Sequence, residues 1–585
     1  MSAHYETRYD LIFNDGQFIC HALGIRIYRR LHMDQARMFI AIALSFLVFF
    51  VWNYFFVEKP EDFPVQQNPA ATDSQSSPEQ SKTVAQSNEG NSLPVTPNIP
   101  ENPSNEDTMI TVDTPTYTVV LSEQKACFRS FILKHYRENS SSGSGFKELI
   151  QKENHAGTIL TDFLSKSDPG IQNVFFSSTV STQKMTVDGI PQSLSFSWMS
   201  KTGLFVTKTY RFYPDQYLID LDILIENRGQ SILNDTLILT LNNKISEQRS
   251  NSYGFEGPGA LINGQLTTVD IDDIKDSPVS TGKIKWLSIQ DRYFISYLIP
   301  RQEKEASIEM TLDTNNFLRT NYLEPVQSLS PGQSKTFGYQ IFMGPKSVSI
   351  LKAAKVDLDK AIHFGFFDFI AKPCLWLMNF LYRYIPNYGI AIIILTILIK
   401  ILFWPLGTKS YRSMNEMKKL QPLMTEIREK YKDDKKRMNE EVMGLYKTYK
   451  INPLGGCLPM VAQIPVFFAL YQMLYGAIEL RHAPFMGWIN DLSAPDRLFD
   501  FGFSIPFMDP PYGVPVLTIV MGATMLIQQK LQPPAGDPTQ AKMMMMMPVV
   551  FTVIFINFSS GLVLYWLVNN ILSIAQQYFV SKTKT

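Results

Sequence analysis

The sequence has few of the residues that carry covalent chemistry. Its 585 residues include only 7 histidines, and none lies between His155 and His363, so a long stretch lacks the commonest general base. We find no glycine-rich phosphate loop, zinc-binding histidine pair or nucleophile elbow in a suitable context. These absences argue against hydrolysis and group transfer. We therefore predict neither enzymatic activity nor a cofactor.

Cysteine and net charge exclude further classes of protein. The four cysteines, Cys20, Cys127, Cys374 and Cys457, are far apart in unlike surroundings and lack metal-ligand spacing. We expect neither a metal site nor structural disulfides. The chain carries 54 basic and 54 acidic residues, so no global basic excess indicates a specific nucleic-acid partner.

The first long apolar run is residues 38–57, which is long enough to span a bilayer. Arg37 precedes this run and Glu58 follows it, so the positive-inside rule places the N-terminal segment 1–37 in the cytoplasm. Met33 is an alternative start of the chain. No small-residue cleavage site follows the run, and we interpret 38–57 as an uncleaved membrane anchor.

A polar linker and a β-rich region follow the anchor. Residues 58–108 are rich in Pro, Ser, Gln and Asn and cannot bury enough apolar surface to fold, which predicts a disordered tether. Short alternating segments between 109 and 349 predict a large antiparallel β-sandwich. In Leu218–Asn227, for example, every second residue is Ile or Leu. An in-to-out anchor places this domain outside the cytoplasm.

The C-terminal part predicts a polytopic α-helical membrane domain. Its five predicted spans are residues 388–406, 453–477, 512–531, 543–558 and 561–580. The remaining segments are an aromatic interfacial amphipathic helix at 361–385, a charged cytoplasmic helical hairpin at 407–452, an outer loop at 478–511, a cytoplasmic loop at 532–542 and a cytoplasmic tail at 581–585. With the anchor, this gives six transmembrane helices and two cytoplasmic termini.

Lys400 is the most informative residue, because it lies inside the apolar run Gly389–Leu406. A cation there costs about 2.5–3.5 kcal/mol on insertion scales unless water or a polar partner reaches it. Snorkelling towards the headgroups past Pro405 is one explanation, and a polar cavity is the other.

Thr396 precedes Lys400 by four residues and so shares its helical face. Other polar residues at membrane depth favour the shared wet cavity over snorkelling: Gln463, Gln529, Asn569 and Asn570. Each alone is also explained by a helix–helix hydrogen bond. Tyr565 and Trp566 lie near the start of the last span, where an aromatic belt is the alternative to a cavity wall.

Two features indicate contacts at the cytoplasmic side. The hairpin has basic residues that would meet partners, namely Lys418, Lys419, Lys435, Lys436 and Arg437. A solvated, salt-bridged hairpin without a partner is the alternative. Five consecutive methionines form a flexible, polarizable surface, and Met543, Met544 and Met547 are the predicted entrance for apolar segments. Lipid-facing filler is the alternative there.

Several motifs, in order along the chain, resemble the YidC insertase family. They are Asn452–Pro459 (NPLGGCLP), Tyr471–Leu480 followed by Arg481, Ala483-Pro484-Phe485 and Trp488, Asp491–Ser493, Met547–Val549 and Ser560–Tyr565. The likeness is close from 364 to 580 and looser from 33 to 349. It implies a Gram-negative inner-membrane insertase and chaperone whose periplasmic domain is a β-supersandwich similar to sugar-mutarotase folds.

The resemblance also implies a mechanism. A water-filled groove opens to the cytoplasm and to lipid, and is closed on the periplasmic side. The cation on the second span, here Lys400, briefly receives acidic groups of the substrate, whose apolar helix leaves past the third and fifth spans. Most family members have arginine there, so the charge is kept but the forked geometry is lost. Gln529 and Trp566 fall at other groove positions.

The same resemblance implies the partners. These are nascent membrane proteins, the Sec translocon and membrane lipids, with the ribosome or targeting factors meeting the hairpin. Two other functions stay open from the sequence. A small-solute transporter would have inverted repeats, and we see none between the halves of the five-span cluster. A membrane-anchored sugar-binding protein using the sandwich is disfavoured by the scarcity of histidine.

Overall fold

The computed structural model describes residues 107–140, 143–165, 171, 174–180, 182–245, 255–276, 279–449, 451, 458–532 and 538–582. The predicted cytoplasmic segment at 1–37, the anchor at 38–57 and nearly all of the linker lie outside these residues. The described part consists of a β-rich region followed by a helical region.

The β-rich region begins at Met109. Its strands are β1 (Met109–Asp113), β2 (Tyr117–Ser122), β3 (Cys127–Arg137), β4 (Phe146–Glu148), β5 (Leu160–Phe163), β6 (Ser177–Ser178), β7 (Lys184–Thr186), β8 (Gln192–Met199), β9 (Leu204–Phe212), β10 (Leu218–Asn227), β11 (Leu233–Asp235), β12 (Leu237–Lys244), β13 (Gly257–Ile262), β14 (Gln265–Thr268), β15 (Ser280–Gln290), β16 (Phe294–Pro300), β17 (Lys304–Leu312), β18 (Phe317–Leu323), β19 (Gln327–Leu329) and β20 (Ser334–Pro345).

The strands form a large sheet, a smaller sheet and a two-stranded ribbon. The large sheet has the order β5-β12-β18-β17-β15-β16-β20-β10-β9-β8-β6, with β13 and β14 added beside β15. The smaller sheet has the order β4-β3-β2-β1-β7, and the ribbon pairs β11 with β19. The strand pairs are antiparallel as predicted except for one, because β1 and β7 run parallel.

The core of the β-rich region lies between the two larger sheets. Strand β10 pairs with β9 and β20, and its alternating residues Ile219, Leu221 and Ile223 are completely buried, as the sequence pattern predicts. Phe128 of β3 lies 5.2 Å from Tyr210 of β9, measured between ring centroids, so the smaller sheet packs on this face of the larger one. The sandwich is therefore held together by side chains that the period-two pattern directs inward.

The helical region follows β20. Its helices are α1 (Val348–Ala353), α2 (Asp368–Tyr384), α3 (Tyr388–Lys419), α4 (Gln421–Lys430), α5 (Lys435–Thr448), α6 (Leu458–Gly476), α7 (Val516–Leu531), α8 (Pro538–Phe555) and α9 (Ser560–Lys582), with short 3₁₀ turns at Leu358–Ala361, Gly365–Phe367 and Ile478–Leu480. By length and composition, α3 alone among the described helices is long and apolar enough to cross a membrane, and Val516–Leu531 and Lys542–Phe555 are shorter apolar helices.

Helix α3 extends past the boundary that the sequence predicts. The predicted span ends at residue 406, but the helix runs through Pro405 to Lys419. A proline removes one backbone hydrogen bond, and the following Lys, Met and Glu residues are good helix formers, so the helix continues. The hairpin proper is therefore α4 and α5. Asp434 caps α5 by accepting a 3.0 Å hydrogen bond from the Arg437 backbone N–H.

One end of the helical bundle is capped by the loop that joins α6 to α7. The Asn387 side chain, at the start of α3, donates to the Phe485 carbonyl over 2.8 Å. The Asp496 carboxylate accepts a 2.5 Å hydrogen bond from the Leu517 N–H in the first turn of α7. The Ser560 N–H, at the start of α9, donates to the Ala494 carbonyl over 2.8 Å. The first turns of α3, α7 and α9 therefore meet at this end.

The β-rich region contacts the same end of the bundle. The Arg292 Nε donates to the Tyr475 carbonyl over 2.8 Å, near the last residue of α6, and the Arg292 guanidinium lies 3.4 Å from the Tyr475 ring centroid. After α6, the Arg481 guanidinium donates to the Arg137 and Glu138 carbonyls over 2.7 and 2.9 Å. The sandwich and the α6–α7 loop therefore cover one end of the bundle together.

Candidate functional site

Five helices surround a cavity of about 350 Å³. It is lined by Lys400, Phe403, Gly407, Ser410, Tyr411 and Met414 of α3; Gln463, Ile464 and Phe467 of α6; Met525, Gln528 and Gln529 of α7 with the following Gln532; Met547, Pro548 and Phe551 of α8; and Tyr565, Trp566, Asn569, Asn570, Ser573 and Gln576 of α9. The lining is thus a mixture of amide, hydroxyl and amine groups with aromatic and aliphatic side chains.

The cavity occupies the half of the bundle that is remote from the sandwich. In α3 the lining begins at Lys400, three turns beyond the capped start of the helix, and in α7 it begins at Met525. The capped half is packed instead, with Ile392 of α3, Met521 of α7 and Val563 of α9 all buried. The cavity therefore extends from the middle of the bundle towards the uncapped end and is closed at the other.

Lys400 reaches across the bundle into this cavity. Its Nζ donates to the Ser573 Oγ over 2.7 Å, and that hydroxyl donates to the Asn569 carbonyl over 2.7 Å. In the part of the chain that the structure describes, no carboxylate forms an ion pair with Lys400. This geometry favours the polar cavity over snorkelling, because the ammonium points at a buried serine and not along the helix towards an interface.

Amide side chains complete the polar wall. The Gln463 Nε2 donates to the Asn569 Oδ1 over 3.1 Å, which links α6 to α9. The Asn570 Nδ2 donates to the Thr524 Oγ1 over 3.2 Å, which links α9 to α7. The Gln576 Nε2 donates to the Trp404 carbonyl over 2.9 Å, close to Pro405 in α3. Hydrogen bonds donated by amide side chains therefore cross three helix–helix contacts around the cavity.

Aromatic rings form the closed end of the cavity. The Trp566 ring centroid lies 4.8 Å from those of Phe467 and Phe555, in edge-to-face arrangements. Phe558 continues the cluster towards the capped end, 4.7 Å from Phe555 and 5.8 Å from Tyr471. Edge-to-face pairs of this kind pack tightly. The cluster separates the polar lining from the end that the sandwich covers.

The structure brings most of the predicted site residues together, but not all. Lys400, Gln463, Gln529, Tyr565, Trp566 and Met547 line the one cavity. Thr396 does not: it is buried one turn nearer the capped end, where its hydroxyl donates to the Ile392 carbonyl of its own helix over 2.7 Å. Sharing a helical face with Lys400 was not enough to place it in the lining, because the cavity ends between the two turns.

Met543 and Met544 also lie outside the lining. They are half-buried residues one turn before Met547, nearer the uncapped end of α8. This position is beside the mouth of the cavity and not within its wall. The predicted methionine surface is thus divided between the mouth and the lining.

The hairpin extends α3 beyond the cavity mouth. Its arms touch through Tyr446, whose hydroxyl lies 3.4 Å from the Met424 Sδ. Lys418 and Lys419 at the end of α3, and Lys436 and Arg437 in the first turn of α5, have exposed side chains, and Lys435 is the first residue of α5. Tyr411 and Met414 connect this basic surface to the cavity lining.

Sequence reasoning missed several polar residues of the wall, including Ser573 and Gln576. Their spacing in the sequence could have revealed them. Trp566, Asn569, Ser573 and Gln576 recur at three- and four-residue intervals and so lie on one face of α9. Among the described residues, no group of three or more His, Cys, Asp or Glu side chains could hold a metal ion. The arrangement is suited to non-covalent contact with a polar or acidic chain.

This fold and site define a helical membrane protein with an internal polar cavity and a β-rich domain that covers one end of the helical bundle. Residues 380–585 match the family model described as 60Kd inner membrane protein, and residues 109–377 match the model described as YidC periplasmic domain. Membrane protein insertase YidC of Syntrophus aciditrophicus (strain SB) is 41% identical over 568 residues, which cover 94% of this chain and 100% of that protein. The chain belongs to the YidC family of membrane protein insertases.

A second curated relative and one solved structure are also similar to this chain. Membrane protein insertase YidC of Geotalea daltonii (strain DSM 22248 / JCM 15807 / FRC-32) is 40% identical over 555 residues, covering 94% of this chain and 99% of that protein. A crystal structure of active YidC insertase with the first transmembrane domain resolved is 19% identical, covers 81% of this chain and 93% of its own, and has a TM-score of 0.37. The chain is therefore an inner-membrane protein with a periplasmic β-rich domain, in a family of insertases and not of enzymes. These relatives do not favour the transporter or the sugar-binding protein.

Proposed function

We propose that this chain inserts inner-membrane proteins, and helps them fold, by receiving polar parts of the nascent chain in the cavity around Lys400. The observation that carries this proposal is the Lys400–Ser573 contact, which holds an ammonium inside a polar cavity closed at one end, with no ion pair to a carboxylate among the described residues. Moving a hydrophilic segment into hydrocarbon is the main obstacle to insertion. A polar, cation-bearing cavity that reaches the middle of the bundle shortens that path.

The apolar part of the substrate would leave the cavity between α6 and α8. These two helices contribute its most apolar walls, Ile464 and Phe467 from one side and Pro548 and Phe551 from the other. Outside the lining, Val549, Val550, Val553 and Ile554 of α8 are exposed and would face lipid. A transmembrane segment that moves outward past these residues leaves the partly polar cavity wall and enters the hydrocarbon of the bilayer. This transfer is favourable for apolar side chains.

We place six transmembrane helices in the membrane, with both termini in the cytoplasm. The predicted anchor would be the first, and α3, α6, α7, α8 and α9 the others. Helix α2 would lie along the periplasmic interface, because it exposes Phe369, Trp376 and Phe380 and buries Ala371 and Leu375 against the bundle. The basic hairpin fits the cytoplasmic side by the positive-inside rule, so the cavity opens towards the cytoplasm.

The partners follow from this orientation. Nascent membrane proteins would meet the cavity mouth beside Met543 and Met544. The exposed Lys418, Lys419, Lys436 and Arg437 would contact the ribosome or targeting factors, and the Sec translocon would share some substrates. Lipids would cover the outward faces of the spans. We propose no specific binding of nucleic acid and no cofactor.

Site-specific photo-crosslinking to a ribosome-bound nascent membrane protein tests this function. A photoreactive residue at Met543, at Gln529 or at Lys400 should crosslink to the substrate. The matched control is Thr396, which shares the face of Lys400 but lies outside the lining. Substrate crosslinks at 529 and 543 with none at 396 are expected. Equal crosslinking at 396 and 529, or none at the three lining and mouth positions, would contradict the proposal.

A further inference from the structure

An aromatic loop, Phe499–Phe507, projects from the connection between α6 and α7. Phe507 is 84% exposed and Phe499 is 70% exposed, and Phe501 and Phe503 are also exposed, stacked with their ring centroids 5.7 Å apart. Soluble surfaces rarely present this much contiguous aromatic area without a partner. The insertase mechanism around Lys400 makes no use of this loop, which lies at the capped end of the bundle.

The backbone of the loop directs these rings outward. Phe499 and Phe507 both have φ of 63°, in the left-handed region that bulky residues rarely adopt. Such conformations persist only where the surrounding structure holds them, and they are enriched at functional positions. The fold therefore holds the backbone in this conformation at two of the four exposed aromatic residues.

The contacts that hold the loop come from the turn between α8 and α9. The Asn557 Nδ2 donates to the Phe507 carbonyl over 3.1 Å, and the Asp509 N–H donates to the Asn557 Oδ1 over 2.9 Å. The Arg497 guanidinium donates to the Ile556 carbonyl over 2.8 Å and to the Asp509 carbonyl over 3.3 Å. The loop is thus fixed to the periplasmic ends of two proposed spans.

The exposed rings continue the apolar surface of those spans. Val553 and Ile554 are exposed on the last turn of α8, directly before the residues that hold the loop, and Ile519 and Val520 are exposed near the start of α7. Charge is confined to the margins of the loop. Asp500 is the only ionisable residue within the loop, Asp509 lies two residues after it, and none lies between Phe501 and Met508.

We propose that the aromatic loop inserts into the boundary between headgroups and acyl chains of the periplasmic leaflet. The loop contacts lipid, because it continues a surface that faces lipid in the proposed topology. The inference therefore rests on that topology. Apolar aromatic side chains are favoured at this depth when the flanking polar groups stay at the interface. The loop then fixes the depth of the capped ends of α7 and α8, on the side of the bundle opposite the substrate mouth.

Nitroxide accessibility in the full chain, reconstituted into phospholipid vesicles, tests the proposal. The label is placed at Phe507→Cys in a background where Cys20, Cys374 and Cys457 are serine, and the buried Cys127 is retained. Collisions with oxygen, which partitions into lipid, are compared with collisions with a water-soluble nickel chelate. Ile554→Cys serves as the span control, and Phe146→Cys, on the exposed surface of the sandwich, as the aqueous control.

We expect the oxygen-to-nickel ratio at 507 to be several-fold above that at 146 and to approach that at 554. A ratio at 507 equal to that at 146, with 554 still in lipid, would overturn the loop proposal and leave the proposed function intact. Aqueous values at both 507 and 554 would overturn the proposed topology as well. Protection of 507 from both reagents would indicate a protein cover and would also overturn insertion into lipid.

Discussion

Lys400 and Ser573 face each other across α3 and α9, with the lysine Nζ 2.7 Å from the serine Oγ. The serine hydroxyl is itself engaged, since it donates to the Asn569 carbonyl over 2.7 Å and thus offers a lone pair to the ammonium. A neutral oxygen orients the cation without neutralising it. A carboxylate in the same place would neutralise the charge that, in the proposed function, contacts acidic substrate segments.

The charge of Lys400 should matter for substrates with acidic translocated segments. Replacing Lys400 with alanine should reduce their insertion into proteoliposomes, measured by protease protection, about tenfold, which corresponds to roughly 1.4 kcal/mol of lost stabilisation. Lys400→Arg keeps the charge and should be tolerated. A matched substrate with Asn and Gln in place of its acidic residues is the control and should insert equally well with all three proteins. Unchanged insertion of the acidic substrate after Lys400→Ala would refute the role of charge.

Ser573 provides an independent test of the same point. Ser573→Asp places a carboxylate beside the Lys400 ammonium, and the resulting ion pair should reduce insertion of acidic substrates nearly as much as Lys400→Ala does. Ser573→Asn has a similar volume without the charge and should keep most of the activity in the same assay. If Ser573→Asp and Ser573→Asn behave alike, packing and not charge governs the effect of this position.

Close packing of α7 on α8 gives a third prediction. A Cβ atom added to Gly522 would lie 2.1 Å from the Thr552 Oγ1, so in Gly522→Ala the Thr552 side chain or the two helices must shift. Overpacking of this kind typically costs about 1–3 kcal/mol. We expect a lower midpoint of thermal unfolding in detergent, followed by tryptophan fluorescence.

Two further variants identify the cause of this loss. Thr552→Ala removes the atoms in the way and should restore part of the stability when combined with Gly522→Ala. Gly444, in the middle of α5, has no atom within 4 Å of an added Cβ, so Gly444→Ala should not destabilise the protein. Equal losses for Gly444→Ala and Gly522→Ala would show that the contact between Gly522 and Thr552 is not the cause of the destabilisation.

The sequence predicted those parts of the fold that depend on a repeating pattern. The alternation of Leu218–Asn227 predicted the buried face of β10, because a strand places every second residue on one side. Lys400 was found because a cation inside an apolar run is costly anywhere it occurs. Both signals are local and can be recognised without knowing what packs against the segment.

The parts that were missed or misplaced depend on neighbours that are distant in sequence. Ser573 is 173 positions from Lys400, and a serine in an apolar helix has no distinguishing feature until the lysine lies opposite it. Thr396 was placed in the groove from its helical face alone, but the depth of the cavity is set by rings such as Phe467 and Trp566 on other helices. The parallel pair of β1 and β7 likewise has no local signature.

The last prediction concerns Lys208, which is completely buried in the sandwich. Its Nζ donates to the carbonyls of Lys125, Ala126 and Ile159 over 3.0, 3.1 and 3.5 Å. All three of those residues have positive φ, at 68°, 45° and 60°. The ammonium therefore stabilises three residues in a left-handed backbone conformation that residues other than glycine rarely adopt. Lys208→Met keeps the length of the side chain but leaves these carbonyls without the donor, and should destabilise the domain by about 1–3 kcal/mol.

Burial also makes this effect depend on pH. Removal from water lowers the pKa of Lys208 from 10.5 to about 8. Between these two values the unfolded chain binds more protons at this residue than the folded chain, so the contribution of Lys208 to the free energy of unfolding rises with pH. The difference between the wild-type protein and Lys208→Met should therefore grow by about 3 kcal/mol from pH 8 to pH 10.5. Denaturant unfolding followed through Trp198 and Trp286 measures it, with the exposed Lys201→Met as control. Parallel pH curves for wild type and Lys208→Met would show that the buried amine does not titrate in this range.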